Sequence, residues 1–310
     1  MNMIHNFDTM RDLVEKLNHY TKLYDEGNPI ITDKEWDNMY FQLQELEKEF
    51  GVVLSNSPTA NIDYAVKNEL KKVEHNHPML SLAKTKSEDD VIKFLNGFDG
   101  IAMAKMDGLT CSIRYVDGIL KSAETRGNGE IGEDITHNIV HINGVPLQIP
   151  VKDEVIIDGE VICTYDHFEE FSSEYANPRN FAAGSIRLLD ATECAKRKLT
   201  FIAWDCIRGI DKPTLSEKLF ELDSLGFIYT PYVVISETIN IHHAIILLQH
   251  WAKDEKLPID GIVFKYDNCE YYQSLGATGH HFRGGLAYKF YDEEYESKLQ
   301  NIEWSMGKTS

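Results

Sequence analysis

The sequence predicts an α+β protein, with a small helical unit leading into a larger domain of antiparallel sheet and intervening helices. Three observations predict it. Apolar residues recur at helical spacing through the first 50 positions. From about residue 76 the texture changes to strand-like runs rich in Val, Ile, Leu and aromatics. The pair Asp117-Gly118, between "LTCSIRYV" and "ILKSAETR", is a tight-turn signal that joins antiparallel strands.

In the first helix the apolar stripe is Met10, Leu13, Val14, Leu17 and Tyr20. A Gly/Asn/Pro turn follows, and Thr32 with Glu35 three residues on forms a capping-box signature. The second helix carries Trp36, Met39, Tyr40, Leu43, Leu46 and Phe50 on one face, and Gly51 ends it. Two helices make a thin layer, which predicts that they pack on something larger. Further on, "SEDD" at Ser87 caps a short helix. "IAMAKM", "VIIDGEVICT", "LTFIAWDCI", "YVVIS" and "DGIVFKY" read as strands, with helical stretches near 165–175, 214–225 and 239–253. No internal repeat or low-complexity linker interrupts the chain.

Apolar residues make up 43% of the 310 positions and charged ones 26%, a soluble globular balance. No apolar run approaches the roughly 20 residues of a membrane span. The N-terminus has no basic segment followed by an apolar one, so no signal peptide is expected. The five cysteines are widely spaced without a CxxC pair, which argues against a zinc site and a disulfide framework and points to a reducing cytoplasm. A net charge of −19 excludes a chain that holds nucleic acid by bulk charge, and any such contact must use a local patch or a partner. The densest basic run is Lys196 to Lys198.

The chemistry is read from charges placed inside apolar strands. Lys105 in "AKMDGLTCSIRY" stands two residues before Asp107, flanked by Ala, Met, Leu and Ile. An ammonium there is costly unless it is paired or its pKa falls. From its residues alone Lys105 is open to three readings: structural cation, surface residue or covalent nucleophile. Glu160 in "DGEV", Lys265 in "DGIVFK" and Lys289 in "LAYKF" repeat the pattern, and Arg126 follows the hairpin beside Gly127 and Gly129. Several charges in one sheet domain suggest a shared anionic ligand. Lysines converging on a phosphate would lower one another's pKa, which a nucleophile needs. His75/His77, His242-His243 and His280-His281 lack a third ligand at suitable spacing, so no side-chain metal site is expected.

The ordered set "AKMDGL", "TRGNGEIGEDIT", "DGEV", "YANPRNFAAGSIRLLD", "DGIVFK" and "LAYKF" resembles the NAD-dependent DNA ligases of bacteria and their viruses, from about Tyr20 to Lys308. The resemblance implies an ATP-grasp-like nucleotidyltransferase (DNA ligase adenylation) domain over 76–300, of antiparallel sheets with flanking helices. It implies a helical domain over 1–75 that binds nicotinamide mononucleotide (NMN), and the start of an oligonucleotide-binding (OB) domain over 301–310. Lys105 then matches the nucleophile that forms lysyl-AMP, with Asp107 its motif neighbour. Arg126 and Glu160 match residues that hold the nucleotide and ribose, Lys265 and Lys289 the phosphate lysines, and Ser81 and Leu82 the adenine wall. Arg179 and Arg187 match arginines of the DNA or 5′-phosphate. Asp33, Trp36 and Asp37 match the NMN contacts, with Tyr24 at a family His, Leu23 at a family Tyr and Trp36 at a family Tyr. Met103 stands at a family Glu, so a purine contact is missing or replaced. Gly284 stands at a family Trp, which predicts looser packing beside the phosphates.

The implied substrate is NAD, with Mg²⁺ held mainly by phosphates and water, and the implied partner is nicked duplex DNA. Because "IEWSMGKTS" resembles the opening of the OB domain, the expectation is an excised fragment or one subunit of a split ligase whose second subunit carries the OB and later domains. The rival readings are an ATP-dependent polynucleotide nucleotidyltransferase and a non-catalytic subunit that docks a ligase partner. The helical N-terminal unit speaks against the first, and the intact set Lys105, Glu160, Lys265 and Lys289 against the second.

Overall fold

Thr32 starts the second helix as its side chain dictates. Its hydroxyl accepts the Glu35 N–H at 3.2 Å while the Glu35 carboxylate accepts the Thr32 N–H at 2.8 Å. In the computed structural model, which describes residues 2–25, 30–60, 69–236, 240–278 and 281–290, this helix spans Asp33–Phe50 and ends at Gly51 in the left-handed region. Its Leu43 packs with Phe7, Met10, Leu13, Val14 and Leu17 of helix Asn2–Asp25, as the periodicity predicts. Val52 and Leu54 close the same cluster. The pair leans on the larger domain: Arg11 donates to the Phe227 carbonyl at 3.2 Å and lies 3.5 Å from Asp223.

The strands are β1 (Val53–Leu54), β2 (Lys72–Glu74), β3 (Ser81–Thr85), β4 (Gly100–Met106), β5 (Leu109–Val116), β6 (Ile119–Thr125), β7 (Ile131–Glu133), β8 (Pro146–Gln148), β9 (Val155–Ile162), β10 (Thr200–Arg208), β11 (Tyr232–Ile235), β12 (Ile259–Tyr266) and β13 (His281–Lys289). They form a six-stranded antiparallel sheet in the order β1-β8-β6-β5-β9-β10 and a five-stranded sheet in the order β11-β4-β12-β13-β3. The second is antiparallel except for the parallel pair β13–β3. A third, two-stranded piece pairs β2 with β7. The β5–β6 hairpin turns at Asp117 and Gly118, both at positive φ (54° and 77°), as a two-residue turn of this kind requires.

Each sheet has its own core. Under the six-stranded sheet lie Tyr115, Ile157, Phe201 and, from helix Pro178–Ser185, Phe181. Against the five-stranded sheet, Ala244, Ile245 and Leu248 of helix Ile241–Asp254 pack on Ala102, Ile262 and Phe264. Two local expectations change. Ser87 holds the N-cap position of helix Glu88–Leu95, but its side chain makes no capping bond. That start is fixed by Thr85, whose hydroxyl accepts the Ser87 N–H at 3.0 Å and donates to Asp90 at 2.7 Å. The stretch 165–175 is only helix Tyr165–Phe168 with a 3₁₀ turn at Glu169–Phe171. Among the described residues no helix is long and apolar enough to cross a membrane.

Candidate active site

Lys105, Gly261 and Lys289 stand abreast on β4, β12 and β13: Gly261 pairs with Lys105 on one side and Lys289 on the other. No residue other than glycine fits between them, because a Cβ on Gly261 would run into the Tyr288 carbonyl. The register of β12 against β4 shifts between Ile259 and Gly261, and such an irregularity re-aims a side chain. The residue at the shift is Asp260. Its carboxylate lies 2.9 Å from the Lys105 Nζ and also bonds Lys289. Five residues along β12 from Asp260, Lys265 is 4% exposed and donates to Asp205 of β10 at 3.1 Å. Its Nζ sits 4.9 Å from the Trp204 ring centroid and 5.3 Å from that of Tyr272.

The opposite wall comes from the six-stranded sheet. Glu160 on β9 faces Thr110 on β5 and accepts its hydroxyl at 2.9 Å. Loss of solvation raises the Glu160 carboxyl to about 7, against the pull of Lys105, Thr110, Arg179 and Arg126. Asp158, two residues earlier on the same face, is in register with Asp205 of β10. The two walls enclose a cavity of about 630 Å³. Gly159 and Gly108 are required by the closeness of these strands: a Cβ on Gly159 would run into the Phe201 ring, and one on Gly108 into the Val161 carbonyl.

The cavity brings together Lys105, Arg126, Glu160, Arg179, Lys265, Lys289, Ser81 and Leu82. Asp107 sits at its edge, accepting the Arg179 guanidinium at 2.7 Å. Arg187 lies outside it, paired with Glu133 at 2.8 Å. Trp36 stacks on Tyr40 and donates to the Thr21 hydroxyl at 3.1 Å, Asp37 is exposed, and neither lines the cavity. The side chains of Tyr24 and Asp33 lie outside the described residues.

Two expectations need correction. The lysines do not press on one another: Asp260 serves Lys105 and Lys289, and Asp205 serves Lys265. For Lys265, burial favours the neutral form, but Asp205 outweighs it and holds its pKa above the usual lysine value. Nor is the packing loose at Gly284, because the Tyr272 ring fills the space that a Cβ there would need. Sequence reasoning missed Asp260, Asp205, Asp158, Trp204 and His77 in the cavity wall. The three aspartates carried the signal used for Lys105, a charge within an apolar strand, as in "AWDC" and "IIDGE".

A five-stranded and a six-stranded sheet with a strand-borne lysine in the cleft between them form a nucleotidyltransferase domain. Residues 67–293 match the family model of the NAD-dependent DNA ligase adenylation domain, and residues 4–63 that of the DNA ligase-like N-terminal NAD+-binding domain, so the chain belongs to the NAD-dependent DNA ligase family. It is 37% identical over 309 residues to a DNA ligase of Lachnoclostridium phytofermentans, covering 96% of this chain and 47% of that protein. A DNA ligase of Ruminiclostridium cellulolyticum is 35% identical over 319 residues, covering 99% of this chain and 48% of that protein. The chain thus spans about half the length of these relatives. A solved structure, "mycobacterial DNA ligase D complexed with ATP and MES", is a distant likeness at 14% identity and a TM-score of 0.41, over 70% of this chain and 60% of that one.

Among the described residues no three or more His, Cys, Asp or Glu side chains come together to hold a metal ion.

Proposed function

We propose that this chain is the adenylation module of an NAD-dependent DNA ligase. The Lys105 amine attacks the α-phosphorus of NAD. A nitrogen–phosphorus bond forms, the pyrophosphate P–O bond breaks, and NMN leaves with the electron pair. AMP stays on Lys105 for transfer to the 5′-phosphate of a nicked duplex. The observation that carries this reading is the row Lys105, Gly261, Lys289 with Asp260 reaching the Lys105 Nζ. An ammonium must lose a proton before it attacks, and Asp260 is the group within hydrogen-bond reach to accept it.

The remaining roles follow the cavity walls. Lys265 and Lys289 meet the phosphates and offset the charge that develops there. Glu160, fixed by Thr110, accepts the ribose hydroxyls, and Arg126 contacts the nucleotide. Ser81 and Leu82 line the adenine side. Asp107 orients Arg179, which with Arg187 takes the DNA end. Mg²⁺ would be held by the substrate phosphates and water rather than by side chains of this chain, and would offset phosphate charge there.

Residues 1–75 are assigned the NMN half of NAD, through Tyr24, Asp33, Trp36 and Asp37, and residues 76–300 the transfer. Because Trp36 and Asp37 stand away from the cavity, one NAD molecule can touch both only when the helical unit comes over it. That unit's match to an NAD+-binding domain supports NAD over ATP as the donor. A net charge of −19 repels DNA at long range, which supports a second polypeptide carrying the OB and later modules as the DNA-gripping partner. Five free thiols suit the cytoplasm of a bacterium or of a virus-infected cell. The test is peptide mapping after incubation with NAD: AMP on Lys105, absent from Lys105→Ala, is the expected result, and AMP retained in that variant refutes the assignment.

A further inference from the structure

Two cross-sheet ion pairs stand side by side at one end of the cavity. His77 Nε2 meets Asp158 Oδ2 at 2.9 Å, and Lys265 Nζ meets Asp205 Oδ2 at 3.1 Å. The two carboxylates are register partners on β9 and β10. The cations arrive from the other wall: Lys265 from β12, and His77 from the segment that runs through Pro78 into β3. Asp158 is 2% exposed, and its Oδ1 is buried without a hydrogen-bond partner. The other His77 nitrogen, Nδ1, lies 2.6 Å from the Asn76 side-chain oxygen. Both ring nitrogens therefore face acceptors, an arrangement that the imidazolium satisfies by donating twice.

We propose that His77 is a positioning residue for nucleotide transfer: protonated, it ties the Pro78–Leu82 wall to Asp158 of the facing sheet and offsets the Asp158–Asp205 pair, leaving Lys265 available to the substrate phosphate. Without that proton the buried Asp158 and the half-buried Asp205 share one cation, Lys265, and hold it back from the ligand. The cross-sheet tie of the wall carrying Ser81 and Leu82 also weakens, from a charge-assisted to a neutral hydrogen bond. Both consequences weaken NAD binding rather than the chemical step. This inference rests on the adenylation reading above.

The groups that face His77 set its charge. Burial, the largest influence, favours the neutral ring, but Asp158 of β9, Glu124 of β6 and Asp205 of β10 together hold its pKa above the usual histidine value. The neighbouring groups are already engaged: the His75 ring with Glu124 at 2.9 Å and Lys265 with Asp205, while Arg126 lines the same cavity. The imidazolium thus persists to a higher pH than a free histidine and is lost as pH rises through that raised value.

The test measures lysyl-AMP formation on the full chain by intact mass, against NAD concentration, from pH 6 to 9. Glu160 titrates in every variant, so the difference between wild type and His77→Gln isolates the histidine. In wild type the KM for NAD rises about fivefold across the range. In His77→Gln it is high throughout, without that rise, and the rate at saturation stays within about twofold. Asp158→Asn also abolishes the rise, and adding His77→Gln to it changes KM by less than about twofold, because the partner is gone. Should His77→Gln not fold, the Asp158→Asn comparison carries the same test. A second readout needs no turnover: the His77 imidazole, followed by NMR, titrates at lower pH in Asp158→Asn than in wild type. Identical KM profiles in wild type and His77→Gln, a change confined to the saturating rate, or an unmoved His77 titration would each overturn the proposal. Failure of wild type to take AMP from NAD at any pH would sink the adenylation reading instead, and the NMR titration would still judge the pair.

Discussion

The carboxylate of Asp260 lies 2.9 Å from the Lys105 Nζ and bonds Lys289 as well, so the proposed nucleophile and one phosphate lysine share a single counter-ion. Asp260→Asn keeps the shape and removes the proton acceptor. Lysyl-AMP formation under single-turnover conditions should slow about a hundredfold or more, the usual weight of a general base. The KM for NAD should move far less. An unchanged rate in Asp260→Asn would remove Asp260 from the proton path.

Glu160 gives a pH-dependent stability. Its carboxyl is raised to about 7 in the folded chain from an ordinary value of 4.5. An acid with a raised folded pKa costs nothing below the unfolded value. The cost builds as pH climbs from about 4.5 to about 7 and stays constant above, on the order of 3 kcal/mol at most. Glu160→Gln should therefore raise the melting temperature by several degrees at pH 8 and leave it unmoved near pH 4. A calorimetric pH series checks this, and equal shifts at both pH values would contradict it.

Much of this was legible in the residues, for identifiable reasons. The hairpin at Asp117-Gly118 and the capping box at Thr32 are local, set by turn and side-chain chemistry within a few positions. Lys105, Glu160, Lys265 and Lys289 stood out because charge in an apolar run is rare. What stayed hidden depends on contacts distant in sequence. The parallel pairing of β13 with β3 is what carries Ser81 and Leu82 to the cavity. Asp260 reaches Lys105 only through a register shift in β12. Tyr272 fills the space at Gly284 from a separate helix, Cys269–Ser274, and no spacing rule encodes that.

Arg187 stands outside the cavity, paired with Glu133 at 2.8 Å on an exposed surface. If it contacts a DNA phosphate, Arg187→Ala should weaken nick binding and reduce the slope of log affinity against log salt by about one. Fluorescence anisotropy with a nicked duplex at graded salt measures this. A slope identical to wild type would exclude a phosphate contact by Arg187.

Asp37 is exposed on helix Asp33–Phe50 beside Trp36. Its removal should not unfold the chain. Under the NMN assignment, Asp37→Ala should raise the KM for NAD about tenfold, the loss of one charge-assisted hydrogen bond. Point substitution tests this better than removing residues 1–75, because β1 and β2 pair into the larger domain's sheets. Unchanged NAD kinetics in Asp37→Ala would count against the helical unit as the NMN site.

The central claim is that Lys105 takes AMP from NAD. The most direct measurement is the intact mass of the purified chain after incubation with Mg²⁺ and either NAD or ATP, beside Lys105→Ala. The expected result is the mass of one AMP added with NAD, none with ATP, and none in Lys105→Ala. Equal labelling by ATP, or labelling that survives Lys105→Ala, would contradict it.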